Sequence, residues 1–185
     1  AARRALSHTA SIAGSDIMFD AAFKKAGIIR VEDMEELLNS AIALAKQPPL
    51  RGDKIAIVSN VGGPAILAAD AVAKNGLKLA TLSQKIGKEI ERHYPGVDVI
   101  NPVDLIADAR AERYAVILNM ILSDPNVDGV IVINMLKSCF FEPEDAAAVA
   151  ETAKRHTNKP VIDVPAGGED FKLVYEVLRD TDIPV

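Results

Sequence analysis

His8 has more reactive chemistry to offer than any other side chain in this sequence. It stands between Ser7 and Thr9 in a loop of small residues, Ser7-His8-Thr9-Ala10-Ser11-Ile12-Ala13-Gly14-Ser15, and not on an apolar face. A neutral imidazole nitrogen is a competent nucleophile toward phosphorus, and the N-phosphoryl group is readily passed on. Small neighbours leave room for a phosphate, whose oxygens hydroxyls and backbone N–H groups can bind. The same residues also read as an ordinary exposed loop histidine.

A second constellation is Ser59-Asn60-Val61-Gly62-Gly63-Pro64-Ala65, directly after the apolar run 55–58. Two glycines let a ligand approach the backbone closely. Pro64 suits a first helical position, and the first acidic residue, Asp70, lies almost two turns in. The helix end is therefore left electropositive, and Ser59, Asn60, Gly62 and Gly63 are candidate phosphate ligands. Two other helix starts should repel phosphate: Glu142, Glu144 and Asp145 crowd one, and Glu169-Asp170 follows Gly167-Gly168 at the second. The alternative is a plain strand–helix turn in which the glycines only solve geometry. Asn101-Pro102-Val103-Asp104-Leu105 sits after the run 97–100 and offers polar groups to a ligand, or a turn in which Asp104 caps the next segment. His93 reads as a solvated helix end, His156 as a positive charge at a helix C-terminus, and Cys139 as a packed apolar group. No metal-ligand set is visible.

These groups are carried by an alternating pattern. Residues 1–47 read as a polar loop and two helices: Asp16 to Ala26, capped by Ser15 and stopped by Gly27, and about Asp33 to Lys46, with a short strand at 28–30 between them. The prolines at 48 and 49 make 47–53 a linker. Strand-like runs follow at 55–58, 77–80, 97–100, 130–133, 160–164 and 183–185, with helices at 64–75, 84–92, 110–123, 144–157 and 169–180. The β-branched run 130–133 has no alternation, as in a strand buried on both faces. The reading is an α/β, doubly wound parallel sheet over 54–185, with residues 1–47 as the tail of a preceding domain.

Composition narrows the function classes. The 185 residues carry 21 Lys and Arg against 26 Asp and Glu, so no basic field favours nucleic acid or an anionic membrane. With 4% aromatics and no Trp, a base-stacking platform is not expected. One cysteine excludes an internal disulfide framework. No apolar run approaches the ~18 residues of a membrane span. There is no signal-peptide pattern at the start, and a cytoplasmic setting is expected. The sequence lacks an initiator Met and ends on a strand-like Ile183-Pro184-Val185, so a piece of a longer polypeptide, truncated at its C-terminus, is expected.

Taken together, the motifs resemble the ADP-forming (NDP-forming) acyl-CoA synthetases, relatives of succinyl-CoA synthetase. Ser7 to Asp16 is similar to that family's phosphohistidine loop, S-H-T-G-x-x-A-G-S-D, and Asp20 to Val31 continues it. Ser59 to Pro64 is similar to its S/T-N-x-G-G-P loop; Asn101 to Leu105 and Asp124-Pro125-Asn126-Val127-Asp128 also match. Ala10 departs from the pattern, standing where the family usually has Gly. The resemblance implies a flavodoxin-like, succinyl-CoA synthetase-like domain and the reaction acyl-CoA + ADP + phosphate ⇌ acid + CoA + ATP. His8 would carry the phosphoryl group, and the Gly62-Gly63 loop would help bind phosphate. It implies CoA, ADP/ATP and Mg²⁺ in the full enzyme, with nothing but phosphate bound by this chain alone. It further implies a CoA-binding domain and an ATP-grasp domain or subunit as partners, and an oligomer. A synthetase-like ligand-sensing region of a protein lysine acetyltransferase is the alternative.

Overall fold

The structure, a computed structural model, describes residues 15–136 and 140–185. His8 and Cys139 lie outside the described residues. The chain divides into two compact units, Ala1–Ser40 and Ala41–Val185.

The first unit carries α1 (Asp16–Ala26) and the start of α2 (Met34–Lys46). Ser15 stands at the N-cap as expected, although its side chain makes no capping bond. Gly27 ends α1 in the left-handed conformation, φ 68°, which a residue without Cβ adopts at no steric cost. Residues 28–30 form no strand. Arg30 instead folds back on α1, its guanidinium bonding Asp16 (2.6 Å) and Asp20 (2.5 Å), and the two carboxylates hold its pKa above the usual range. No residue of α1 or α2 is buried.

The second unit is built on a five-stranded, all-parallel sheet. In chain order it contains β1 (Lys54–Ser59), α3 (Gly62–Lys74), β2 (Lys78–Leu79), α4 (Gln84–His93), β3 (Val103–Asp104), α5 (Ala111–Ser123), β4 (Gly129–Met135), α6 (Ala146–Ala153), β5 (Val161–Ala166) and α7 (Phe171–Leu178). The strand order is β2-β1-β4-β5, with β3 on the β2 edge of β1. The path moves one way from β1 to β2 and the other way from β3 through β4 to β5. Because crossovers are right-handed, the two directions place helices on opposite faces. One face packs Ile55, Ile57 and Ile133 against Ala65 and Val72 of α3. The other packs Ala56, Val58, Val130, Val132 and Val161 against α4 to α7, with Ile90, Ile117, Val149 and Val174 among the contacts. This is the doubly wound, flavodoxin-like arrangement expected.

Three expected strands are corrected. Besides 28–30, the run 97–100 is not a strand; the ladder begins at Val103, and the gap is filled by a side chain. β2 pairs with β1 at Lys54 and Ile55, and β3 pairs with it at Val58 and Ser59. Between them Asn101 Oδ1 accepts the Ile57 N–H (2.9 Å), while its Nδ2 donates to the carbonyls of Ile55 (2.8 Å) and Ala80 (2.9 Å). One amide thus replaces a missing stretch of strand and satisfies backbone groups that would otherwise be orphaned. Residues 183–185 are likewise not a strand, although the Pro184 carbonyl accepts the Asp163 N–H. The predicted helices at 144–157 and 169–180 each begin as a 3₁₀ turn, Pro143–Asp145 and Gly168–Asp170.

Asp128 accepts the N–H groups of Asp53 and Lys54, fixing the start of β1. A Cβ on Gly52 would meet that carboxylate at 2.2 Å, which is why glycine stands there. Lys46 Nζ caps the carbonyls of Arg179 and Thr181, and Gln47 Oε1 accepts the Val161 N–H, so the start of the proline linker is stapled to the second unit.

Candidate functional site

In an open α/β sheet the ligand crevice lies beyond the carboxyl ends of the strands, where the winding direction reverses. Here that reversal falls between β1 and β4, and the Ser59–Gly63 turn emerges from β1 at that point.

Ser59 and Asn60 are both buried, and their side chains shape the turn. Ser59 Oγ donates to the Val61 carbonyl (2.8 Å) and accepts the Val61 N–H (3.1 Å). Asn60 Oδ1 accepts the Met135 N–H (2.8 Å) and its Nδ2 donates to the Met135 carbonyl (3.2 Å), tying the ends of β1 and β4 together across the reversal. Both candidates therefore stand at the site with side chains engaged to backbone.

Gly62 and Gly63 behave differently. The helix starts at Gly62, two residues earlier than expected, so Pro64 is its third residue and not its first. Four N–H groups at a helix start lack intrahelical partners. Here Val61, the N-cap, gives its N–H to Ser59 Oγ, and Pro64 has none. The N–H groups of Gly62 and Gly63 remain, on exposed residues, with no acidic residue in the first turn and no capping side chain. Neither glycine has a positive φ, and a Cβ on either would meet nothing within 4 Å. Neither backbone conformation nor packing within the described residues requires glycine at these positions.

The flanking segment is pinned. The Leu105 N–H bonds the Ser59 carbonyl, Asp104 Oδ1 accepts the Ile106 N–H, and Arg113 binds the Leu105 carbonyl and Asp108. Asp104 is thus the local cap of the bland alternative, and these bonds hold Ile106 at φ 67°, a conformation strained for a β-branched residue. The Arg113 guanidinium holds the Asp108 carboxyl below its usual range.

The helix starts at Pro143–Asp145 and Gly168–Asp170 hold their own acids, as expected. Around Pro143–Asp145, Glu142 and Asp145 form a reciprocal capping box, and Arg110 Nε bonds Asp145 Oδ2 at 2.7 Å. His93 is exposed beside Arg92. At His156, burial first, then Lys159 and Arg155, lower the pKa, which disfavours the expected positive charge; its Nε2 shares a 2.9 Å hydrogen bond with Asn119 Oδ1. Among the described residues no group of three His, Cys, Asp or Glu side chains converges as a metal site, and no helix is long and apolar enough to cross a membrane.

Comparison with known proteins now bears on this geometry. Residues 1–44 match the model of the succinyl-CoA ligase like flavodoxin domain, and residues 55–185 match the Ligase-CoA domain. The chain belongs to the Ligase-CoA domain family. This member of the family is 38% identical to the alpha subunit of an ADP-forming acetate–CoA ligase II of Pyrococcus furiosus, over 98% of its own length and 40% of the relative's. It is 36% identical to an ADP-forming 4-hydroxybutyrate–CoA ligase of Nitrosopumilus maritimus, over 99% of its length and 26% of the relative's. A solved structure of the dinucleotide forming acetyl-coenzyme A synthetase 1 of Ca. Korarchaeum cryptofilum, in complex with phosphate and ADP, superposes with a TM-score of 0.89 at 28% identity, covering 99% of this chain and 40% of that one. The chain thus spans between about a quarter and two fifths of the length of these relatives.

Proposed function

We propose that this chain is the phosphohistidine and flavodoxin-like part of an ADP-forming acyl-CoA synthetase, acting with a CoA-binding domain and an ATP-grasp domain or subunit in the cytoplasm. Residues 1–47 would form the phosphohistidine segment and residues 54–185 the phosphate-binding domain. The observation that carries the reading is the mouth of α3: two open backbone donors at an uncapped helix start, at the winding reversal, on glycines the fold itself does not need. The relatives, named as ADP-forming acetate– and 4-hydroxybutyrate–CoA ligases, support acyl-CoA ligation as the reaction.

In this reading phosphate attacks the acyl-CoA carbonyl, releasing the thiol of CoA and leaving an acyl phosphate. The His8 imidazole then attacks phosphorus, the carboxylic acid departs, and the phosphoryl group passes from the ring nitrogen to the terminal oxygen of ADP. The Gly62 and Gly63 N–H groups and the partial positive charge of the helix start stabilise the phosphoryl oxygens. Ser59 and Asn60 hold the turn that aims those donors. The described residues offer no convergent Mg²⁺ ligand set, so the ion would accompany the nucleotide's own phosphates. The ligand-sensing alternative draws no support from relatives named as ligases.

The test is a complete enzyme in which this chain is joined to its CoA-binding and ATP-grasp parts, assayed for ATP formation. Acid-labile, alkali-stable phosphate should appear on His8, and His8→Asn should abolish turnover. Full turnover of that variant refutes the reading. ATP formation by the chain alone would refute the need for partners.

A further inference from the structure

Asn134 on β4 and Asp163 on β5 face each other inside the helix-covered core, 0% and 1% exposed. They are joined by one hydrogen bond, Asn134 Nδ2 to Asp163 Oδ1, at 2.7 Å. The two remaining side-chain oxygens, Asn134 Oδ1 and Asp163 Oδ2, are both buried and have no partner among the described residues. An ionised carboxylate and an amide cannot do better: both oxygens are acceptors, and a buried acceptor without a donor is costly. One proton on Asp163 Oδ2 changes that, because a carboxylic acid and an amide pair head to head through two hydrogen bonds.

We propose that the folded chain carries Asp163 as the neutral acid, its Oδ2–H donating to Asn134 Oδ1, so that a proton taken from solvent completes a two-bond clasp between β4 and β5. Among the described residues, no charged side chain is shown bonded to Asp163. β4 bears no ionisable side chain, nor does the rest of β5. On α7, Lys172, Tyr175 and Glu176 are exposed, as is Asp182 beside Pro184, whose carbonyl takes the Asp163 N–H. Asp145, in the turn against α7, is engaged by Arg110. Burial is thus left to push the carboxyl up to about 7, against the smaller downward pull of the Asn134 bond. The clasp also bears on the candidate site, since Asn134 precedes Met135, the residue that Asn60 grips.

The sign of the pH dependence follows. The folded carboxyl titrates above the unfolded one, so the folded state keeps a proton the unfolded chain has released. The contribution to stability is full below the ordinary carboxylate range, declines as pH rises toward the folded value near 7, and is gone above it. Asp163→Asn is nearly isosteric, does not titrate, and supplies the same donor to Asn134 Oδ1 permanently. Thermal unfolding of the whole chain, native and variant, is compared at about pH 5 and about pH 8.5. The expected result is that the difference in Tm moves in the variant's favour at the higher pH. A variant that loses stability equally at both, or more at the higher pH, overturns the proposal. Carbon-13 NMR of the aspartate-labelled native chain decides the matter even if the variant does not fold. One Asp carboxyl titrating near neutrality supports the clasp, and none titrating above about pH 5.5 overturns it.

Discussion

Two helix starts in the second unit answer the same electrostatic demand in opposite ways. At Pro143–Asp145, leading into α6, the chain supplies its own anions: Glu142 and Asp145 cap each other's backbone, and Arg110 closes on Asp145. At Gly62–Gly63, leading into α3, it supplies none. Ser59 takes the Val61 N–H, Pro64 has none to give, and two donors stay open. Both are strand-to-helix turns on one sheet, so fold geometry does not force the difference. In the proposed function, the uncapped start of α3 is where an anion from outside would sit.

The sharpest way to break this comparison is to give the open mouth an acid of its own. A Cβ at Gly63, the first atom that Gly63→Asp adds, meets nothing within 4 Å. An acid in the first turn is favourable to the helix by about 0.3–1 kcal/mol. The fold should therefore hold while phosphate affinity of the complete enzyme, measured by calorimetry, falls by roughly 100-fold, about 2.7 kcal/mol. Unchanged affinity would make the α3 mouth as inert as the other. The reciprocal change, Asp145→Ala, removes the cap and the partner of Arg110; the expected loss is about 1 kcal/mol of unfolding free energy with turnover unchanged. A drop in phosphate affinity there would mean the two mouths are not independent. The smallest effect is Gly62→Ala. With φ not positive and open space at the Cβ, stability should rise by about 0.4–1 kcal/mol in chemical denaturation. A clear loss would restore the view that the glycines serve only the turn.

The second unit's helices were legible because their signals are local. The five fall between the strand-like runs, and those over Gln84–His93 and Ala111–Ser123 lie within a residue of where the alternation puts them. The sheet's edge was not legible. Val97 to Ile100 has strand composition, yet the ladder next to β1 is completed by the Asn101 side chain, a contact 46 residues away in sequence at Ile55. The same limit applied at the candidate site. Ser59 and Asn60 read as ligands because polar residues after a strand suit an anion, but their bonds to Val61 and Met135 make them the frame of the turn. Lys46 and Gln47 offered no signal at all, since their partners lie more than a hundred residues on. Asp163 offered one: a single acid inside the strand-like run 160–164.

By itself the sequence determined where the helices of the second unit lie and which two of their starts carry acids of their own, because these follow from local alternation and from charges within a turn of a helix start. The tertiary structure alone decided which polar groups are spent and which are left over. Hydrogen bonds are satisfied by whatever lies nearest in space, and only the folded chain shows that Asn60 is used on Met135, that Asn134 and Asp163 each lack a partner for one oxygen, and that Gly62 and Gly63 still have N–H groups to give.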